Sequence, residues 1–201
     1  MSVNLYISEE ERAIFEKVTI GIAGAGGLGS NCAMHLVRAG FKNLVIADYD
    51  NVSPSNLNRQ FFFADQIGKQ KIQALKENLL RIESRLNLTL HNIKLTGENL
   101  ATVFKDCDVV AEAFDTAEAK EMFLTALIPT SKKLVSVSGI AGWGRSNSIK
   151  VRSVGKNLIL IGDCNTSENK DAGIFPESPR VGIAAAMQAN SIIALFLGSE
   201  I

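Results

Sequence analysis

Two segments in the first third of the chain combine residue types that could bind a nucleotide. The first is a glycine loop at residues 24–29, Gly-Ala-Gly-Gly-Leu-Gly, and the second runs from Asp48 to a block at residues 55–60, Ser-Asn-Leu-Asn-Arg-Gln. The second segment places three groups on one loop: the acid Asp48, which is suited to ribose hydroxyls, the amide Asn56 and the cation Arg59. Because a guanidinium can hold two phosphate oxygens at once, this combination favours a site for the triphosphate of ATP over a site for hydride transfer.

The glycine loop lies between a predicted strand and a predicted helix, which is the context that nucleotide binding by such a loop requires. Gly24 permits a tight turn, and Gly26 and Gly27 let backbone N–H groups approach a ligand. The N-terminal end of the following helix then favours an anion. The alternative is a tight turn without a ligand, and the loop alone does not choose between NAD and ATP.

Two aspartates begin the second segment. Asp48 ends a predicted strand, where open parallel sheets collect their ligands, so its carboxylate is a candidate to accept hydrogen bonds from ribose. It could instead cap a helix or form a surface turn. Asp50 is a further candidate for ATP binding, or else a turn-forming aspartate.

Two further charged residues could act on a polyphosphate. Lys71 lies in the first turn of a helix predicted over residues 69–86, after Gly68, and can reach towards phosphates, although Lys69 is a rival two residues away. Asp115 ends an apolar strand, where a carboxylate can hold Mg²⁺, because Mg²⁺ binds one or two carboxylates together with phosphate oxygens. Asp115 is equally well placed to be a helix N-cap.

Apolar runs and amphipathic segments alternate along the chain and predict the elements that position these residues. The predicted strands cover residues 18–23, 44–47, 88–93, 108–114 and 133–138, and the predicted helices cover residues 8–17, 30–39, 69–86 and 116–127. Alternation of this kind builds right-handed units with a parallel sheet.

The pattern changes after Gly139. Residues 148–154 and 157–161 should pair antiparallel around a tight turn, followed by a mobile polar loop at 162–179 and an apolar helix at 181–197. We therefore predict an α/β fold: a Rossmann-like, mainly parallel sheet flanked by helices, with antiparallel strands added in the C-terminal third. A single domain over residues 1–201 is the simplest organisation.

Composition narrows the class of protein. The chain has 201 residues, of which 46% are hydrophobic and 21% charged, with a formal net charge of zero. Without clustered Lys and Arg, binding to nucleic acid is not expected. No apolar run reaches the roughly 20 residues that span a bilayer. The N-terminal residues lack the basic and apolar regions of a signal peptide, so we expect a cytoplasmic protein that binds no membrane.

The cysteines and histidines predict neither disulfides nor zinc. Cys32, Cys107 and Cys164 form an odd count without a C-x-x-C pair, and His35 and His91 are far apart in sequence. A structural zinc site needs about four ligands, so no zinc is expected.

Together these residues resemble the ThiF/MoeB/HesA family of the ubiquitin-activating-enzyme superfamily, which activates ubiquitin and ubiquitin-like sulfur carriers. The matching segments are residues 24–30, 48–50, 55–60, 67–71 and 114–115. The Ser-Asn-Leu-x-Arg-Gln block is the most specific, and the resemblance extends from about residue 18 to residue 198. Residues 138–144 and 179–189 resemble the short ThiF-type proteins of thiamine biosynthesis. The zinc cysteine pairs and the sulfurtransferase domain of larger members are absent from this sequence.

The resemblance implies adenylation of the C-terminal glycine carboxylate of a ThiS-like sulfur carrier, with ATP and Mg²⁺ and with release of pyrophosphate. Asp48 would hold the ribose, and Asn56, Arg59 and Lys71 the phosphates, while Asp115 would hold Mg²⁺. The implied ATP-binding residues are Gly24, Gly26, Gly27, Asp48, Asp50, Asn56, Arg59, Gln60 and Lys71; the implied catalytic residues are Arg59, Lys71 and Asp115.

The family also implies a partner subunit. Its members pair as symmetric homodimers, and the apolar helix at 181–197 must be covered by the core or by a second subunit. A basic residue of the N-terminal segment enters the partner's site in the family, and Arg12 is the only arginine available for that role. Cys164 could form the covalent link to the carrier that some members use, or be an incidental loop cysteine.

Two other functions remain as alternatives at this point. An NAD-dependent oxidoreductase would explain the glycine loop and Asp48 but would leave Arg59, Gln60 and Lys71 without a task. A non-catalytic module that binds a nucleotide and docks a carrier would explain the same residues without a reaction.

Overall fold

Seven strands form one sheet in the computed structural model, which describes residues 6–166, 168 and 171–200. The strands are β1 (Thr19–Ala23), β2 (Asn43–Ala47), β3 (Asn87–His91), β4 (Val109–Glu112), β5 (Lys133–Val137), β6 (Lys150–Val154) and β7 (Leu158–Gly162). The helices are α1 (Glu9–Lys17), α2 (Gly27–Ala39), α3 (Lys71–Leu80), α4 (Leu100–Val103), α5 (Ala117–Leu127) and α6 (Ser178–Leu197).

The sheet has the order β3-β2-β1-β4-β5-β7-β6, and every neighbouring pair is parallel except β6 and β7. The predicted Rossmann-like fold with antiparallel strands near its C-terminal end is thereby confirmed. The chain first builds outward from β1 to β3 and then crosses back to place β4 on the other side of β1. This reversal creates a crevice between the carboxyl ends of β1 and β4, where such sheets bind ligands.

Two apolar layers cover the faces of the sheet. One layer contains buried residues of α1, α2, α3 and α6, and the other contains those of α4 and α5. By length and composition alone α6 could cross a membrane, but half of its apolar window is buried, and it packs against α2, β5 and β7. We therefore interpret α6 as a core helix.

Several element boundaries differ from the predicted ones because local hydrogen bonds compete with the apolar pattern. The helix predicted from residue 69 begins only at Lys71, because the backbone of Val52 pairs with Gly68 and Lys69. It ends at Leu80 rather than residue 86. The strand predicted from residue 148 begins at Lys150, since residues 146–148 form a short 3-10 turn. The short helix α4 was not predicted.

The glycine loop turns where β1 meets α2, and two of its glycines are required there. Gly24 has φ of 103°, which residues with a side chain rarely adopt. A Cβ on Gly29 would lie 1.8 Å from the Gly24 carbonyl oxygen, so any side chain at this position would push α2 away from the turn.

We expect Gly29→Ala to destabilise the fold by about 2–3 kcal/mol through overpacking against backbone that cannot move aside. Gly97→Ala is the matched control, because its Cβ would meet only the Met122 side chain at 3.9 Å. Chemical denaturation of both variants measures the difference. Equal stability of the two would show that the close approach at Gly29 is not a constraint.

Candidate active site

A cavity of about 570 Å³ opens around the crevice at the carboxyl ends of β1 and β4. Ligand pockets commonly have volumes of about 300–1,000 Å³. Nine residues predicted for nucleotide binding or catalysis line it: Gly24, Gly26, Gly27, Asp48, Asp50, Arg59, Gln60, Lys71 and Asp115. The predicted residues Asn56, Arg12 and Cys164 are outside its lining.

The glycine loop presents backbone donors to this cavity. Gly24 N–H donates to the Ala47 carbonyl at 2.9 Å, which fixes the turn against β2. Gly26 is the N-cap of α2 and has no side chain with which to cap the helix. The first turn of α2 therefore keeps N–H groups available for an anion, and the helix dipole favours the same charge.

The Asp48 carboxylate joins the glycine loop to the segment that follows β2. One oxygen accepts the Ala25 N–H at 2.7 Å, and the other accepts the Asp50 N–H at 2.8 Å. Burial raises the pKa of Asp48, although these two bonds and the nearby Lys71 favour its charged form. A carboxylate can accept about four hydrogen bonds, so Asp48 retains capacity for ribose hydroxyls.

Lys71 reaches the cavity because its backbone is tied to the Asp48 segment. Its N–H donates to the Asp50 carbonyl at 2.9 Å, and its ammonium lies 2.8 Å from the Asp50 carboxylate. Lys69, the rival candidate, instead pairs with Glu77 at 2.9 Å outside the lining of the cavity. The geometry therefore favours Lys71 over Lys69 as a phosphate ligand.

Arg59 lies against the glycine loop, with its Cγ 3.4 Å from where a Cβ on Gly27 would stand. One guanidinium nitrogen donates to the Ser55 carbonyl at 3.2 Å and to the Asn58 side chain at 2.8 Å. A guanidinium has five N–H donors, so these bonds leave capacity for phosphate oxygens.

Two polar residues of α2, to which the sequence analysis gave no role, hold the Arg59 segment in place. Asn31 donates to the carbonyls of Gly27 at 2.7 Å and Arg59 at 2.9 Å. The Ser30 hydroxyl donates to Gly26 and accepts the Phe61 N–H. The sequence signal for both is a pair of polar residues directly after the glycine loop.

The two amides of the Ser-Asn-Leu-x-Arg-Gln block have different surroundings. Asn56 accepts the Ser53 N–H at 3.0 Å and closes the short turn Pro54–Asn56 away from the cavity lining. Gln60 is buried at the wall of the cavity, and its Oε1 finds no hydrogen-bond partner within the described part of the chain. The phosphate contact of Asn56 remains a prediction.

Asp115 is exposed on the cavity wall, and Thr116 caps α5 by accepting the Ala119 N–H at 3.2 Å. The interpretation of Asp115 as the N-cap is therefore wrong. In residues 6–166, 168 and 171–200 its carboxylate has no hydrogen-bond or ion-pair partner. A free carboxylate beside a phosphate site fits Mg²⁺, which takes its other ligands from phosphate oxygens and water. Among the described residues no three His, Cys, Asp or Glu side chains group to hold a metal by themselves.

The two remaining candidates lie outside the cavity of their own chain. Arg12 is on α1, and its Nε is buried without a hydrogen-bond partner among the described residues. Cys164 is exposed, with its sulfur 3.6 Å from the Arg152 guanidinium, two residues before the cavity-lining Thr166. Cys107, in contrast to Cys164, is buried, and burial raises the pKa of its thiol to about 12.

Comparison with known proteins finds several adenylyltransferases among the sequence relatives. The chain is 31% identical over 183 residues to the E. coli sulfur carrier protein ThiS adenylyltransferase, covering 89% of this chain and 72% of that protein. It is 26% identical over 190 residues to adenylyltransferase and sulfurtransferase MOCS3 of Culex quinquefasciatus, covering 92% of this chain and 43% of that protein. The chain thus spans less than half the length of this longer relative.

Solved structures share the fold. E. coli tRNA N6-threonylcarbamoyladenosine dehydratase TcdA, in complex with AMP, superimposes with a TM-score of 0.86 at 18% identity, covering 94% of this chain and 90% of its own. E. coli MccB with ATP gives 0.72 at 20% identity, covering 92% and 58%. At these identities the likeness concerns the fold alone. The ThiF family model, however, matches residues 2–201, and with the 31% identical relative this shows that the chain belongs to the ThiF family.

Proposed function

We propose that the chain is an ATP-dependent adenylyltransferase, which joins AMP to the C-terminal glycine carboxylate of a ubiquitin-like sulfur carrier protein and releases pyrophosphate. The observation that supports this most is that one cavity gathers the glycine loop, Asp48, Arg59, Lys71 and the free carboxylate of Asp115. A hydride-transfer site would need the first two features only. The names of two sequence relatives, a sulfur carrier protein adenylyltransferase and an adenylyltransferase and sulfurtransferase, agree with the proposal.

Each part of the cavity has a task in this reaction. Asp48 accepts the ribose hydroxyls, and the backbone of the glycine loop and α2 faces the phosphates. Arg59 and Lys71 supply positive charge to the phosphate oxygens. Lys71 has three N–H donors and gives one to Asp50, so it can bind a phosphate without leaving that partner.

The nucleophile needs no general base, because a C-terminal carboxylate is already ionised at neutral pH. The remaining requirement is to bring two anions together and to stabilise the charge that develops when the bond to pyrophosphate breaks. Positioning and electrostatics dominate reactions of this type. Mg²⁺ on Asp115 and the phosphates would neutralise part of that charge.

We further propose that the carrier is ThiS-like and that the reaction serves thiazole formation in thiamine biosynthesis, in the cytoplasm. The support is the 31% identity to the E. coli ThiS adenylyltransferase over 89% of this chain. Pyrophosphate exchange with purified ThiS-like carriers and with other ubiquitin-like proteins, compared with exchange in their absence, tests the proposal. Nucleotide binding without exchange in the presence of any carrier would instead support a docking module.

We expect Arg59→Ala to abolish carrier-dependent pyrophosphate exchange while the fold survives. Removal of one charge-assisted contact made mainly in the transition state costs on the order of 3 kcal/mol, or a hundredfold or more in rate. Arg38→Ala is the control, since Arg38 is exposed on α2 outside the cavity lining. Near-native exchange by Arg59→Ala would remove Arg59 from the reaction.

Asp115→Asn should weaken the response to Mg²⁺ more than it weakens binding of the adenosine moiety, because a metal-bound carboxylate matters most for the polyphosphate. Exchange rates measured across a Mg²⁺ titration test this, with Asp106→Asn, an exposed aspartate outside the cavity lining, as the control. Superimposable titrations of Asp115→Asn and the unmodified protein would exclude a role for Asp115 in metal binding.

We also propose a symmetric homodimer in which Arg12 enters the partner's site. Light scattering at micromolar concentration should then give about twice the chain mass of 21.7 kDa. Arg12→Ala and Arg59→Ala should each be inactive alone, but their mixed dimers contain one site with both arginines. A remixed sample should regain about a quarter of the native exchange activity if the subunits exchange statistically. A monomer, or an active Arg12→Ala variant, would contradict the role of Arg12.

A further inference from the structure

A fully buried carboxylate lies beneath the cavity and has no task in the reaction proposed above. Glu112 is the last residue of β4 and is 0% exposed. Its Oε1 accepts the Phe114 N–H at 2.7 Å and the Lys120 ammonium at 2.9 Å. Its Oε2 accepts the Ser136 hydroxyl at 2.5 Å and approaches Lys120 at 3.2 Å. The carboxylate therefore joins β4, β5 and α5 at one point.

Lys120 completes this network and has no donor left for a ligand. Its ammonium donates to both oxygens of Glu112 and, at 2.7 Å, to the Phe114 carbonyl. An ammonium has three N–H donors, and these three contacts use all of them. Although Lys120 lines the cavity, it is thus committed to the protein and not to a phosphate.

The network lies where β4 and β5 part. Their parallel pairing ends at Ala111 and Val135, although β4 still pairs with β1 at Glu112 and β5 pairs with β7 as far as Val137. The side-chain amide of Gln188, on α6, donates to the carbonyls of Glu112 at 2.8 Å and Val135 at 2.9 Å. Glu112 and Gln188 together hold the separated strand ends in a fixed relation.

These contacts fix the backbone on both sides of Asp115. Phe114, the residue before it, is held at both its N–H and its carbonyl by the Glu112–Lys120 pair. Thr116, the residue after it, is fixed as the N-cap of α5. Asp115 therefore lies between two residues whose backbone is held in place. Because its side chain has no partner in the described part of the chain, the backbone alone determines the direction in which its carboxylate points.

We infer that the Glu112–Lys120 ion pair is a positioning pair, which aims the Asp115 carboxylate at the metal-bound polyphosphate. The inference rests on the proposed function, since it assigns a reason for the geometry of that site. A buried ion pair is a costly way to stabilise a fold, and well-packed apolar residues of similar volume often serve equally well or better. What an apolar pair could not do is hold both polar ends of the Phe114 peptide.

The experiment compares nucleotide binding with and without Mg²⁺. The test variant is the double substitution Glu112→Gln/Lys120→Met, which removes both charges and avoids leaving one of them buried and unpaired. Lys120→Arg is the conservative variant. The control is Glu16→Gln/Lys42→Met, which removes an ion pair far from the cavity. Calorimetry measures the affinities for AMP and for a non-hydrolysable ATP analogue, and melting temperatures report the fold.

We expect the double variant to keep its affinity for AMP within about twofold, but to lose the Mg²⁺-dependent gain in affinity for the ATP analogue by about tenfold or more, which is the direction expected for Asp115→Asn. Lys120→Arg and the control pair should retain the gain. If the double variant fails to fold, Ser136→Ala decides the question, because it removes one donor to Glu112 and should reduce the gain about threefold.

Two results would overturn the inference: an unchanged Mg²⁺ response in a folded variant, or equal losses of affinity for AMP and for the analogue at all Mg²⁺ concentrations. The second result would show a merely structural pair. If the unmodified protein catalyses carrier-dependent exchange but shows no Mg²⁺-dependent gain in binding, the inference fails and the proposed function stands. If it neither binds the analogue nor catalyses exchange, the proposed function fails.

Discussion

The half-buried carboxylate of Asp48 is the contact on which the site depends. By accepting N–H groups from Ala25 and Asp50, it joins the loop after β1 to the loop after β2. The sheet brings the two strand ends side by side, but it does not determine the course of the chain beyond them. Because the carboxylate is partly shielded from water, its hydrogen bonds are stronger than they would be in bulk water, and loss of a partner would be costly. The residue expected to bind the ribose therefore also shapes the loop that faces the phosphates.

The same principle recurs around the cavity. Side chains that are short or buried bind the backbone and fix its course, as Ser30, Asn31 and Glu112 do. Longer or exposed side chains then project from that backbone with donors or acceptors to spare, as Arg59 and Asp115 do. This division makes chemical sense, since catalysis by positioning requires a rigid frame and uncommitted charges at the same time.

The sequence predicted the strands and the glycine loop better than it predicted the contacts that hold the backbone around the cavity. Apolar runs and glycines located the strands and the loop after β1, because burial and backbone conformation leave a strong local pattern. The start of α3 was misplaced because it depends on pairing between Val52 and Gly68, which are separated along the chain. The sequence analysis included Glu112 in the apolar strand predicted at residues 108–114 and gave it no separate role. The signal that could have identified it is a carboxylate within a buried run, followed after eight residues by a lysine on the next helix.

The charges of the cavity give a physical reason to expect a metal ion with the nucleotide in the proposed reaction. Two of the cations that line it, Lys71 and Lys120, already face carboxylates of this chain at 2.8 and 2.9 Å. The other two, Arg59 and Lys94, have no carboxylate partner among the described residues. In the proposed reaction these two cations would not balance the charge of a triphosphate together with a second anion, the carboxylate of the carrier. A divalent cation held by Asp115 would offset that deficit and would stabilise the charge that develops as pyrophosphate departs.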